Sequence, residues 1–187
     1  MKNILVILGH PDTDSFCGAL ADSFSKGAEQ NGRKVDRLNL GDMDFNPVLR
    51  KGMEMEQCLK DAQQKIQDAD HIAFIYPNWW GLMPALMKGF IDRVFLEGFA
   101  FEFSESSPLP KGLLKGKTAQ LLVTMDTPPW YYKMVYKMPG HRAMQKSILD
   151  FCGVKSVKTT EFAVMKKSTP EMRSIWLKKA AGLGATS

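Results

Sequence analysis

Ile4-Leu5-Val6-Ile7-Leu8-Gly9-His10-Pro11-Asp12-Thr13-Asp14-Ser15-Phe16 is the stretch on which the fold turns. Five aliphatic residues without polar alternation predict a parallel β-strand buried on both faces. A short polar loop follows, ending at Asp14 and Ser15, either of which suits a helix N-cap. Beyond it Phe16, Leu20, Phe24 and Ala28 recur every four residues, which predicts a helix over 15–30 with one buried stripe. Gly32 lies just past that stripe as a stop signal. Buried strand, loop and amphipathic helix form the first half of a βαβ unit.

The pattern repeats outward from this unit. Strands are predicted over 34–40, 71–76, 118–124 and 157–164. Helices are predicted over 54–69, from Pro84 through Leu86, Phe90, Ile91, Val94 and Phe95, and over 143–152 and 170–181. There is no internal repeat. Right-handed crossovers between five such strands imply one α/β domain over 1–187. It is a doubly wound five-stranded parallel sheet, order 2-1-3-4-5, with helices on both faces. Such sheets bind ligands beyond the carboxyl ends of their strands, so the loops that matter are 9–14, 77–83 and 125–140. Segments 41–52 and 101–116 are long connections, suited to lids or subunit contacts.

Composition bounds the class. The chain has 187 residues, 44% of them apolar and 24% charged, which excludes a disordered tail, a fibrous repeat and a disulfide scaffold. Cys17, Cys58 and Cys152 are odd in number and far apart, without a C-x-x-C pair. That suits a reducing cytoplasm and offers no metal site. Five apolar residues near the start are too few for a signal-peptide core, and window 73–91 is interrupted by Pro77, Asn78, Pro84 and Lys88. A cytoplasmic protein without a membrane span is expected. The net charge of +5 favours anionic ligands, but Lys and Arg are scattered along the chain, which argues against nucleic acid as a partner.

Each of the three loops admits two readings. In the first, unpaired N–H groups at the start of a helix make a phosphate site to which His10, Thr13 and Ser15 add side-chain donors; otherwise it is a capped turn with a structural His. Neither G-x-G-x-x-G nor G-x-x-x-x-G-K is present. In the second, Tyr76-Pro77-Asn78-Trp79-Trp80-Gly81-Leu82-Met83-Pro84, adjacent tryptophans cannot easily both face the core. They line a pocket for a planar heteroaromatic ligand such as a flavin, or they pack the core and a dimer contact. In the third, Asp126-Thr127-Pro128-Pro129-Trp130-Tyr131-Tyr132, with His141 beyond, the hydroxyl and imidazole groups can polarise a carbonyl or pass a proton; otherwise the loop is aromatic packing. His71, opening a strand, reads as structural.

Taken together, the chain resembles the NAD(P)H:quinone oxidoreductase family of flavodoxin-like flavoproteins, which includes DT-diaphorase and the modulator of drug activity B. The resemblance is carried by His10-Pro11 with Ser15-Phe16 and Ala19-Leu20, by the run from Pro77-Asn78-Trp79-Trp80-Gly81 through Asp92-Arg93-Val94-Phe95, by Phe151-Cys152-Gly153, and by Phe45-Asn46-Pro47. It spans nearly the whole chain. It implies that His10, Ser15, Phe16 and Cys17 hold the flavin's phosphate chain, and that Pro77, Asn78, Trp80 and Gly81, with Trp79 beside them, hold the isoalloxazine. The family's Thr-Thr-Gly-Gly turn is replaced here by Asp126-Thr127-Pro128-Pro129, which lacks two backbone donors and leaves the pyrimidine edge to Thr127, to Asp126 or to other groups of the loop. The family's catalytic Tyr and His map to Tyr131 or Tyr132 and to His141, in a loop about six residues shorter than that of DT-diaphorase.

The resemblance implies FAD, with FMN the other possibility, and NAD(P)H as co-substrate. Hydride would pass through the flavin to a quinone or similar acceptor in two half-reactions sharing one site. It implies a homodimer, with Trp79, Trp130 and Phe101 as interface groups and much of the substrate pocket supplied by the second copy. Two other readings remain at this point: a flavin-bearing accessory subunit of another protein, and a flavodoxin-type electron carrier. Carriers of that kind are usually acidic, unlike this basic chain.

Overall fold

The computed structural model describes residues 2–104 and 107–187. In chain order the elements are β1 (Asn3–Leu8), α1 (Phe16–Gln30), β2 (Lys34–Asn39), α2 (Gln57–Asp68), β3 (His71–Pro77), α3 (Ala85–Val94), β4 (Phe101–Ser104), β5 (Ser107–Gly112), β6 (Thr118–Met125), α4 (Pro129–Met134), α5 (Pro139–Arg142), a π-helical stretch (Ala143–Asp150), β7 (Ser156–Ala163) and α6 (Pro170–Ala185). Strands β2-β1-β3-β6-β7 form one parallel sheet. Counted among themselves they run 2-1-3-4-5, as the sequence predicts. Strands β4 and β5 pair antiparallel as a separate hairpin. That hairpin occupies part of the segment predicted as an irregular connection; Glu105 and Ser106 within it lie outside the described residues.

The aliphatic run of β1 works as a two-faced wedge. Ile4, Val6 and Leu8 pack with Leu20, Phe24 and Ala28 of α1 and with Ala180 of α6. Leu5 and Ile7 pack on the other face with Leu59 and Ile66 of α2 and with Phe90 and Val94 of α3. All five are at most 1% exposed, and burying each contributes about 1.5–3 kcal/mol. Helices α1 and α6 lie against each other closely enough that a Cβ on Gly27 would sit 2.0 Å from the Ala181 carbonyl oxygen, and one on Gly184 2.0 Å from that of Phe24. No helix among the described residues is long and apolar enough to cross a membrane.

The connection between β2 and α2 is clamped by a buried arginine. Arg93 of α3, 2% exposed, donates to the Asn46 carbonyl at 2.6 Å and to the Glu54 carbonyl at 3.0 Å, and pairs with Glu56. Phe45 meets Phe90 edge-on at 6.2 Å. The segment predicted as the third irregular loop is partly helical. Pro129 and Pro139 each occupy the first turn of a short helix, where a missing N–H costs nothing.

Candidate functional site

The three loops converge where β1, β3 and β6 end. Ser15 caps α1, its hydroxyl accepting the Gly18 N–H at 3.2 Å. The N–H groups of Phe16 and Cys17 precede the first intrahelical bond and stay available at the positive end of the helix. His10 Nδ1 accepts the Asp12 N–H at 2.9 Å, which leaves Nε2 as the donor of the neutral ring. The same ring meets Trp79 edge-on at 5.6 Å, joining the first loop to the second. Thr13, in the same loop, is half-buried. Phe16 packs on Trp176 of α6 at 6.0 Å.

Cys17 contributes through its backbone. Its thiol points under the loop, 3.2 Å from the Thr124 hydroxyl and 2% exposed. Burial pushes the thiol up to about 11 against the opposing pull of the Thr124 hydrogen bond.

The aromatic loop is a tight turn. Trp79 and Leu82 exchange both backbone hydrogen bonds at 2.9 Å, and the central residues have positive φ, 53° at Trp80 and 79° at Gly81. These are the dihedrals of a type I′ turn. Gly81 adopts them freely; Trp80 carries about 1 kcal/mol of strain there. The Trp80 side chain stands fully in solvent at 102% relative exposure. Among the described residues, the N–H groups of Trp80 and Gly81 have no acceptor.

Asn78 sits behind this turn. Its N–H donates to the Thr124 carbonyl at 2.7 Å, while its side-chain Oδ1 is buried without a partner. A cleft of about 140 Å³ lies here, lined by Pro77, Asn78, Trp79, Thr124, Asp126 and Met165 among others. Asp126 is only partly free to serve it. Its Oδ1 accepts the Lys166 N–H at 2.7 Å and its Oδ2 lies 3.5 Å from Lys166 Nζ, tying β6 to the segment after β7. Thr127 is half-buried and unbonded among the described residues.

The candidate catalytic groups separate into two environments. Tyr132 is fully buried; its hydroxyl donates to the Gly81 carbonyl at 2.9 Å and accepts the Gly140 N–H at 3.0 Å. Burial holds its phenol above the ordinary range, opposed by the backbone of Gly140 and His141. His141 is edge-on to Tyr132 at 5.0 Å, and its Nε2 lies 2.8 Å from Glu161 Oε1. Tyr131 belongs instead to an outward cluster, edge-on to Trp130 at 5.5 Å and to Tyr136 at 5.2 Å. Sequence reasoning did not single out Glu161, Thr124 or Met165. Nothing in a Thr159-Thr160-Glu161-Phe162 alternation marks that carboxylate as the partner of a buried histidine. Among the described residues no cluster of three or more His, Cys, Asp or Glu can hold a metal ion.

Comparisons with known proteins agree with this fold. The Flavodoxin_2 family model, described as a flavodoxin-like fold, matches residues 2–180. An NAD(P)H oxidoreductase of Haemophilus influenzae is 31% identical over 96% of this chain and 92% of its own. The ribosyldihydronicotinamide dehydrogenase [quinone] of Pongo abelii is 30% identical over 82% of this chain and 78% of its own. The NAD(P)H:quinone oxidoreductase of Methanothermobacter marburgensis, 24% identical, superposes with a TM-score of 0.85 over 99% of this chain and 96% of its own. A match over nearly the whole length, on a sheet with its loops gathered at the carboxyl edge, makes this chain a member of the flavodoxin-like Flavodoxin_2 family, akin to NAD(P)H oxidoreductases and quinone reductases.

Proposed function

We propose that the chain is a flavin-dependent NAD(P)H oxidoreductase that reduces a quinone or similar acceptor, with FAD as the flavin. The observation that carries the reading is the buried, partnerless Oδ1 of Asn78 at the cleft between the second and third loops. A buried acceptor without a donor costs about 1–3 kcal/mol, so its retention points to a ligand N–H. The edge of an isoalloxazine fits. Backbone N–H groups of Trp80 and Gly81 supply donors for its carbonyl side, and Thr127 adds a hydroxyl. The phosphate chain fits the start of α1, at the N–H groups of Phe16 and Cys17 and the Nε2–H of His10.

When bound, the flavin supplies two-electron chemistry, taking hydride from NAD(P)H and giving it to the acceptor. The chain's own residues orient and insulate. Trp79 walls the cleft, and Tyr132 keeps the Trp79–Leu82 turn in register by holding Gly81. His141, paired with Glu161, keeps a proton reservoir beside that turn, 2.8 Å between the two side chains.

The reading includes a homodimer. Trp79, Trp80 and Leu82 on one turn and Trp130, Met134 and Tyr136 on α4 and just beyond expose 46–102% of their surface around the site. So contiguous an apolar rim fits the face of a second copy closing the acceptor pocket.

Flavin released from denatured protein, identified by chromatography, decides FAD against FMN. Steady NAD(P)H oxidation with a quinone and parallel-line kinetics supports the enzyme. Apoprotein that takes up neither flavin overturns the reading. Asn78→Ala separates binding from folding: apoprotein stability holds or rises, while flavin affinity falls about tenfold.

A further inference from the structure

Seven lysines line three hollows away from the cofactor cleft, towards the opposite edge of the sheet where the strands begin. A trough of about 700 Å³ has Lys111, Lys115, Lys146 and Lys155 on its walls, with Pro110 and Phe151 as apolar ground. A second hollow of about 420 Å³ shares Lys115 and Lys155 with it and adds Lys117. A third, about 250 Å³, shares Thr118 with the second and adds Lys2 and Lys158. Asp150 is the one acidic side chain among the described residues lining the three.

These lysines are scattered in sequence, and parallel topology collects them. Lys2, Lys117 and Lys155 each stand at or just before the first residue of a strand, β1, β6 and β7, and all those strands start on one edge. Three of the lysines are engaged: Lys111 with Glu102 at 2.6 Å, Lys146 with Asp150 at 3.5 Å, and Lys117 with the carbonyls of Gln67 and Ala69 at 2.7 Å. Lys2, Lys115, Lys155 and Lys158 have no ion-pair partner among the described residues. Their field reaches inward: besides burial, Lys2 and Lys158 hold the His71 imidazole below its ordinary range.

We propose that this lysine trough docks an acidic, partly apolar segment of a protein partner. Carboxylates meet the unpaired ammonium groups, and apolar side chains lie on Phe151, 39% exposed, and Pro110. A flat bilayer does not enter a concave trough. Among the described residues no Arg, Trp or Tyr lines it, and Phe151 is the one aromatic ring on the wall of the largest hollow, too few for a stacking platform along a nucleic-acid strand. Exposed pairs contribute little each, so binding is weak individually, additive over the trough and strongly salt-dependent. The proposal is independent of the cofactor reading.

The test uses the whole chain without NAD(P)H and a fluorescein-labelled peptide of Glu-Glu-Leu repeats, followed by fluorescence anisotropy at low and physiological salt. Lys115→Ala with Lys155→Ala is expected to weaken binding about tenfold. Lys26→Ala with Lys60→Ala, on exposed faces of α1 and α2, removes the same charge elsewhere and is expected to leave it within about twofold. Equal loss in the two double variants means net charge alone is at work and overturns the proposal. So does tighter capture of a single-stranded oligonucleotide or of anionic phosphatidylserine vesicles that depends on Lys115 and Lys155.

Discussion

The hydroxyl of Tyr132 donates to the carbonyl of Gly81 at 2.9 Å, and through that bond α4 sets the position of the Trp79–Leu82 turn. The same oxygen accepts from Gly140 N–H at 3.0 Å, and the Asn78 side chain bears on it as well, so the phenol serves as donor and acceptor at once. Its proton is therefore held for positioning. Tyr132→Phe should lower stability by about 1 kcal/mol in urea unfolding, because Gly140 N–H keeps its own 3.0 Å bond to the Gly81 carbonyl. Flavin affinity should fall with it, while the pH profile of turnover stays unchanged. Loss of one limb of that profile would show the phenol acting as an acid.

Trp80 presents the opposite case, a residue that the apoprotein would be better without. Its φ of 53° is left-handed and its ring is fully exposed. Trp80→Gly relieves the backbone at some cost in unfolded-state entropy, for a net gain of at most about 0.5 kcal/mol. The variant should unfold at higher urea and yet lose quinone turnover and self-association, measured by sedimentation. Unchanged turnover and association would leave the strain without a functional return.

What was legible in the sequence follows from which signals are local. The Ile4–Leu8 run and the four-residue repeat through Phe24 speak for themselves, because strand and stripe are written in consecutive residues. Pro129 and Pro139 carried helix-start signals, but helices of six and four residues are too short to show a period, so that segment reads as loop. Arg93, in Ile91-Asp92-Arg93-Val94, carries no local signal of burial. It is buried only because carbonyls 47 and 39 residues away come to meet it. Glu161 and the lysine trough are invisible for the same reason: their partners are set by topology.

His71 sets a pH dependence. Burial, then the charges of Lys2 and Lys158, lower its pKa to about 4 from an ordinary 6.5. The folded chain thus stays neutral there while the unfolded chain takes up a proton, so stability falls as the pH drops from about 6.5 towards 4. Between pH 7 and pH 5 the loss from this group is about 2 kcal/mol. His71→Asn retains a polar group near the Thr118 hydroxyl, which lies 2.7 Å from Nδ1, and should flatten urea-unfolding stability over that window. An undiminished slope would assign it to other groups.

Arg93 governs the connection between β2 and α2. Its guanidinium holds two carbonyls and Glu56, whose Oε1 in turn accepts the Asn46 N–H at 3.0 Å. That N–H, ahead of Arg93, keeps the Glu56 carboxyl below the usual carboxylate range. Arg93→Ala should cost about 2–3 kcal/mol, below the full penalty for breaking a buried pair because Glu56 is 29% exposed and can turn to water. The connection itself should open. Arg50 and Lys51 lie exposed on it, so limited trypsin digestion followed by mass spectrometry should cut there much faster in Arg93→Ala. Arg93→Lys keeps a charge without the fork and should fall between the two. Glu56 contributes above the unfolded carboxylate range and loses its contribution as the pH falls through its lowered folded-state value, so the difference between wild type and Arg93→Ala should narrow in acid to the part carried by the two carbonyl bonds. Equal cleavage of wild type and Arg93→Ala at Arg50 and Lys51 would assign the clamp to the Phe45–Phe90 contact instead.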